Sequence, residues 1–235
     1  MTSESRVPQH IGIILDGNRR FAKKLMLKPW MGHEWGSKKV EAVLDWSHEL
    51  GVKELTFYAF SIQNFNRPKE EFNYLMKVFD ESFGKLMNDE RIDKYKVKIR
   101  FIGRINMFPS YIQEKMKSLM EKSKKYNDFI VNFAMAYGGR EEVIDAIKKL
   151  AQKIKNNEVD IDKINEEVFN QNLYMTDEPD LIIRTGGEHR TSNFLIWQSN
   201  YSEWLFIDKT WPEFEKEDLI AAIEDYKNRE RRFGK

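Results

Sequence analysis

Residues 10–20 read HIGIILDGNRR. Ile11, Ile13, Ile14 and Leu15, with Gly12 among them, form a short apolar, mostly β-branched run of the length of a buried strand. The run stops at Asp16, and Gly17, Asn18, Arg19 and Arg20 follow directly. A strand that ends in a carboxylate, a permissive backbone position and two guanidinium groups suits a sheet whose strand ends bind a ligand.

The same pattern recurs along the chain. Short apolar runs at 11–15, 54–60, 97–102, 129–134, 181–184 and 204–207 read as strands. Helical periodicity fills the gaps at 39–50, 68–88, 109–125, 141–155 and 213–232. Strand–helix alternation implies right-handed crossovers. The expected fold is α/β: a single domain over 1–235 with an approximately six-stranded, mostly parallel sheet flanked by helices. Residues 1–9 are expected to be a flexible N-terminus, and 213–235 a C-terminal helix and tail. In such sheets ligands bind beyond the carboxyl ends of the strands. Asp16, the loop 61–67, the loop 137–140 and the loop 185–190 should therefore gather on one rim.

Composition narrows the function. The chain has 235 residues, with 39 basic against 38 acidic side chains and a net charge of +1, so no one-signed field points to nucleic acid. There is no cysteine, hence no disulfide and no thiolate metal site. No signal pattern and no run long enough to cross a bilayer is present, which suggests a cytoplasmic protein.

Each rim loop admits two readings. Asp16 can cap a helix, or it can hold a divalent cation while the N–H groups after it meet a phosphate beside Arg19 and Arg20. In the stretch 59–68, AFSIQNFNRP, the polar residues Ser61, Gln63, Asn64, Asn66 and Arg67 are interspersed with Phe60 and Phe65. This can be a turn leading into Pro68, or the wall of a site for a ligand with a charged head and an oily body. In PDLIIRTGGEHRTSNF, 179–194, Arg184, two glycines, Arg190 and Ser192 can cradle a diphosphate or form a solvated surface loop. Glu203 and His189 are candidate metal ligands. The apolar face of 68–88, with Phe72, Leu75, Met76, Phe79, Phe83, Leu86 and Met87, is either core or the wall of a hydrophobic tunnel. GHEWGSK at 32–38 fails the spacing of a nucleotide-binding glycine loop. No Asp-Asp pair occurs, so an aspartate-rich magnesium site is absent.

HIGIILDGNRRFAKK, YAFSIQNFNRP and DLIIRTGGEHRTSNFLIWQ, with YSEWLFIDKTWPEF behind them, closely resemble the cis-prenyltransferases, the undecaprenyl and dehydrodolichyl diphosphate synthases. The resemblance spans nearly the whole chain and leans towards archaeal and eukaryotic members. It implies repeated addition of isopentenyl diphosphate to an allylic diphosphate, farnesyl or geranylgeranyl, giving a long-chain product for a glycosyl carrier lipid. It implies Mg²⁺ held by Asp16, with Glu203 and His189 as further metal-site residues. Gly17, Asn18, Arg19, Arg20, Phe21 and His33 match the allylic diphosphate site. Ser61, Ile62, Gln63, Phe65 and Arg67 match the substrate-binding loop beside the reacting carbons, and Asn64 the position that assists proton removal. Arg184, Arg190, Thr191 and Ser192 match the isopentenyl diphosphate site. Arg232-Phe233-Gly234 matches the tail that reaches a partner subunit, implying a homodimer, and release of so oily a product is compatible with peripheral membrane contact. The family's usual arginine is replaced by Pro29, with Lys28 adjacent. A non-catalytic partner subunit would typically lose the Asp-Gly-Asn loop, and a generic phosphate-binding α/β protein would not need the apolar face.

Overall fold

Burial on both faces defines the centre of the sheet. The computed structural model describes residues 7–229. Its strands are β1 (His10–Ile14), β2 (Glu54–Ser61), β3 (Val97–Ile102), β4 (Phe129–Tyr137), β5 (Leu181–Arg184) and β6 (Glu203–Phe206). They form one sheet in the order β3-β4-β2-β1-β5-β6, and every pairing is parallel. The expectation of a mostly parallel sheet thus resolves to an all-parallel one. In β1 every residue is buried. Ile11 and Ile13 enter the larger core, and Ile14 enters a second one with Tyr58, Ile182 and Phe194. Burying each such side chain contributes about 1.5–3 kcal/mol. Gly12 makes room for that second core: a Cβ there would stand 3.2 Å from the Phe194 ring and 3.3 Å from Ile182.

The helices are α1 (Asn18–Lys24), α2 (Gly32–Glu49), α3 (Lys69–Met87), α4 (Arg91–Lys94), α5 (Ser110–Ser123), α6 (Gly139–Lys155), α7 (Glu166–Asn170) and α8 (Lys216–Asn228). Three departures from the sequence reading have local causes. Helix α2 starts seven residues before 39, because its first turns carry glycines and polar groups in place of an apolar stripe. Helix α8 starts after a separate 3-10 turn, Trp211–Glu213, closed by a Thr210–Glu213 capping box. It ends at Asn228, where Arg229 is extended. Gln9 belongs to the folded structure: its N–H donates to Asp180 Oδ2 at 2.8 Å and its carbonyl accepts from Lys53 and Glu54. The triplet Arg232-Phe233-Gly234 lies outside the described residues. No helix among the described residues is long and apolar enough to cross a membrane.

Helices α2 and α3 both begin at the rim where β1, β2 and β5 end and run back beside each other. Between them and the sheet lies a cavity of about 660 Å³. The α3 face divides accordingly. Leu75, Phe79, Phe83 and Leu86 line the cavity, while Met76 is buried in the core.

Candidate active site

The turn after β1 is fixed by close contacts. Gly17 has φ +102°, and a Cβ on it would lie 2.6 Å from Thr210 Cβ, so only glycine fits. Its N–H donates to Asp16 Oδ1 at 2.6 Å. Asn18 opens α1 and donates to the Leu15 carbonyl at 3.0 Å, while its Oδ1 is buried with no partner among the described residues. The stretch GHEWGSK explains itself here. A Cβ at Gly32 would fall 1.9 Å from the Asn18 carbonyl oxygen, and one at Gly36 would fall 2.3 Å from Asn18 Oδ1. The two glycines let α2 dock on the first loop.

Asp16 meets β5 across the sheet. Arg184, 2% exposed, donates from Nη2 to Asp16 Oδ2 at 2.8 Å. Its Nη1 donates to Ser192 Oγ at 2.7 Å and to the Arg190 carbonyl. Its Nε is buried and has no acceptor among the described residues. The loop that follows is strained: Ser192, Asn193 and Leu195 have φ of 49°, 65° and 43°. Non-glycine residues in this region persist only where surrounding structure holds them, typically at functional sites.

The loop after β2 is both a turn and a wall. The Ser61 N–H donates to Asn64 Oδ1 at 2.9 Å in a capping box. Ser61, Gln63, Asn64 and Arg67 also line the cavity. Arg67 Nη1 donates to His33 Nε2 at 3.2 Å and to Glu71 Oε1 at 2.9 Å. Glu71 is 1% exposed, and Arg19 Nε stands 3.9 Å from it. Burial lowers the His33 pKa below its ordinary value, against the Glu71 carboxylate beside it. Glu71 is held below the usual carboxylate range by His33 and then by the Arg67 and Arg19 guanidiniums.

Three of the four expected loops gather at the rim, while residues 137–140 line neither space. Asp16, Asn18, His33 and Arg67 line both the inner cavity and an outer pocket of about 400 Å³, which adds Gly17, Arg19, Arg20 and Arg190. Arg184 and Ser192 line the inner cavity. Among the described residues Asp16 is the one carboxylate that lines both. Lys23 and Glu188 enter the outer pocket without having been singled out in the sequence. Glu71 is the larger omission. Its signal was its place four residues after Arg67, where a carboxylate on a helix faces an arginine.

Other expected residues stand apart. Phe21 packs on Trp35 with ring centroids 5.9 Å apart. Phe65 packs edge-on against Phe60 at 5.0 Å. Ile62 and Thr191 line neither space. His189 stacks on Phe206 at 4.9 Å. Glu203 opens β6 at the strand end away from the rim and accepts from Arg229 at 2.7 Å. Among the described residues no three His, Asp or Glu side chains group as a metal site, so the expected trio of Asp16, His189 and Glu203 is not assembled. Lys28 pairs with Glu70 at 3.2 Å.

Residues 14–234 match a prenyltransferase family model described as "Putative undecaprenyl diphosphate synthase". The chain belongs to the undecaprenyl diphosphate synthase family of cis-prenyltransferases. It is 49% identical over 234 residues to a tritrans,polycis-undecaprenyl-diphosphate synthase (geranylgeranyl-diphosphate specific) of Methanopyrus kandleri, covering 99% of this chain and 86% of the relative. A protein of that name from Methanocaldococcus jannaschii is 48% identical, over 99% and 84% of the two chains. The lavandulyl diphosphate synthase of Lavandula x intermedia, solved with dimethylallyl diphosphate, superposes with a TM-score of 0.93 at 34% identity, over 97% of this chain and 99% of that one. As a cis-prenyltransferase the protein is an enzyme whose product class is a polyprenyl diphosphate. The cis-prenyltransferase rim brings Arg19, Arg20, Lys23, Arg67, Arg184 and Arg190 against Asp16, Glu71 and Glu188, six cationic groups against three carboxylates. That excess suits an anionic ligand.

Proposed function

We propose that the enzyme extends an allylic diphosphate, geranylgeranyl diphosphate first among candidates, with successive isopentenyl diphosphate units to a long cis-polyprenyl diphosphate that serves as a glycosyl carrier lipid. The observation that carries this reading is the Arg184–Asp16 contact, 2.8 Å, which joins two phosphate-type loops at the mouth of an apolar cavity. The geranylgeranyl starter is supported by the names of the archaeal relatives.

The chain's own groups divide the work. The N–H groups at the start of α1, with Arg19 and Arg20, bind the allylic diphosphate, as helix N-termini and paired guanidiniums do. Arg184 Nε, Arg190 and Ser192 bind isopentenyl diphosphate. The allylic C–O bond breaks and the electron pair leaves with pyrophosphate. The isopentenyl double bond closes on the freed carbon, and C2 of the isopentenyl unit loses a proton to the released pyrophosphate, forming the new double bond. Asn64, at the cavity wall, orients the groups around that proton. The arginines stabilise charge as it develops on the leaving group. The aromatic wall of Phe60, Phe79 and Phe83 keeps water from the carbocation and receives the lengthening chain, making the cavity the expected tunnel.

Mg²⁺ suits this rim. It binds proteins through one or two carboxylates plus substrate phosphates, and Asp16 offers one carboxylate between both pockets. When bound there, Mg²⁺ neutralises phosphate charge and favours loss of pyrophosphate. A homodimer is supported by the half-buried aromatic face of edge strand β6, where His189, Phe206 and Trp204 stack in a row. The test is a starter comparison with labelled isopentenyl diphosphate and Mg²⁺. Geranylgeranyl diphosphate should give butanol-extractable product most efficiently, and a chelator should stop it. No product from any allylic starter with folded protein would refute the reading.

A further inference from the structure

The cavity is lined mostly by apolar side chains, with Ser37 and Ser82 part-way along and Lys85, Glu41 and Asp89 towards its far end. On α3 the lining steps from Leu75 through Phe79 and Phe83 to Leu86, then to Asp89 just past the helix. On α2 it steps from His33 through Val40 to Glu41 and Leu44. The 19 residues of α3 carry this wall roughly 28 Å back from the rim.

Arg91, the first residue of α4, stands behind Asp89. Its Nε donates to the two oxygens of Asp89 at 2.9 and 3.0 Å. Its Nη1 donates to Asp45 Oδ2 at 2.9 Å and to the Glu41 carbonyl at 3.2 Å, and its Nη2 donates to Glu41 Oε2 at 3.1 Å. The side chain is 25% exposed. One rigid guanidinium thus ties the α3–α4 turn to two successive turns of α2, and Glu41 and Asp89 turn their inner sides to the cavity.

We propose that this Arg91 clasp is the stop that limits polyprenyl chain length. The inference rests on the function proposed above. A hydrocarbon end advancing between α2 and α3 gains apolar contact until it reaches Glu41 and Asp89. To pass, it must part Arg91 from its carboxylates and desolvate them, Asp89 at 15% exposed being the most shielded, which is unfavourable. Elongation stalls there and product leaves.

Arg91→Ala and the double variant Glu41→Gln/Asp45→Asn are to be assayed beside the wild type with geranylgeranyl diphosphate and labelled isopentenyl diphosphate. The expected result is a longest product lengthened by one or more five-carbon units in both, while the first condensation stays within about twofold of wild type. Arg91→Lys, which keeps the charge without the fork, should fall between. Glu90→Gln, at an exposed position beside the clasp that takes no part in it, should keep the wild-type ceiling. Unchanged ladders from both clasp variants, folded by circular dichroism, would overturn the proposal, as would an equal lengthening by Glu90→Gln. Failure of the wild type to make product from any starter would instead overturn the functional reading.

Discussion

Arg184 ends β5, Asp16 stands two residues past the neighbouring parallel strand β1, and the two meet side chain to side chain at 2.8 Å. The contact makes one unit of two loops separated by 168 positions in sequence. A buried guanidinium with one donor still unpaired needs an acceptor, and a phosphate oxygen is the natural one.

Asp16→Asn keeps the shape of that contact and removes its charge. We expect kcat to fall by about a hundredfold or more, the scale of losing one group preorganised for transition-state charge. The melting temperature should stay within about 4 °C, the shift of about 1 kcal/mol in a chain of this size. Steady-state kinetics and thermal unfolding on the same preparation check both. Near-normal turnover would remove Asp16 from the reaction.

Two glycines make opposite predictions. Gly32→Ala places a methyl on the Asn18 carbonyl and must push α2 from the first loop. It should cost about 1–3 kcal/mol and raise KM for the allylic substrate. Gly84, within α3, has only Lys115 Nζ at 3.7 Å from its would-be Cβ. Gly84→Ala should stabilise by about 0.4–1 kcal/mol, and denaturant unfolding measures the contrast.

Glu71→Gln should lower kcat/KM about tenfold to a hundredfold, the equivalent of one charged hydrogen bond, by releasing Arg67 and Arg19. Glu70→Gln, one residue earlier and paired only with exposed Lys28, should leave the kinetics unchanged. Equal effects from the two variants would remove Glu71 from the site.

A buried polar group far from the rim gives a pH prediction. His10 Nε2 and Asn132 Nδ2 both meet Thr56 Oγ1, at 2.7 and 2.9 Å, and Asn132 donates to Glu54 at 2.6 Å. Burial lowers the His10 pKa to about 4 and raises that of Glu54 to about 7. The stability that neutral His10 contributes is present above its unfolded value and is lost as pH falls towards 4. The contribution of Glu54 is present below its unfolded value and is lost as pH rises through 7. The two slopes oppose each other over the shared window. Glu54→Gln removes one of them, so its stability relative to wild type should climb by roughly 3 kcal/mol between pH 4.5 and 7. A pH-independent difference would show that Glu54 ionises normally.

The sequence exposes the strands because a strand buried on both faces has little choice but Val, Ile, Leu and Phe, as β1 and β5 show. It exposes the rim because ligand-bearing loops follow such strands. It hides the sheet order, since nothing in HIGII names β2 and β5 as neighbours. It hides the start of α2, where Gly32 and Gly36 serve contact with Asn18. It hides Glu71, because an acid in a first helical turn already has an ordinary reading in the helix dipole. It overstates the metal trio, because Glu203 lies one strand length behind the rim, about 10 Å.

The central claim is that chemistry occurs at the Asp16–Arg184 rim and the product grows into the space between α2 and α3. Allylic diphosphates of increasing length, each bearing a photoreactive group at the hydrocarbon end, can be cross-linked and mapped by mass spectrometry. The account predicts labels that move from Leu75 and Phe79 to Leu86 and Asp89 as the chain lengthens. Labels confined to residues outside the cavity at every length would contradict it.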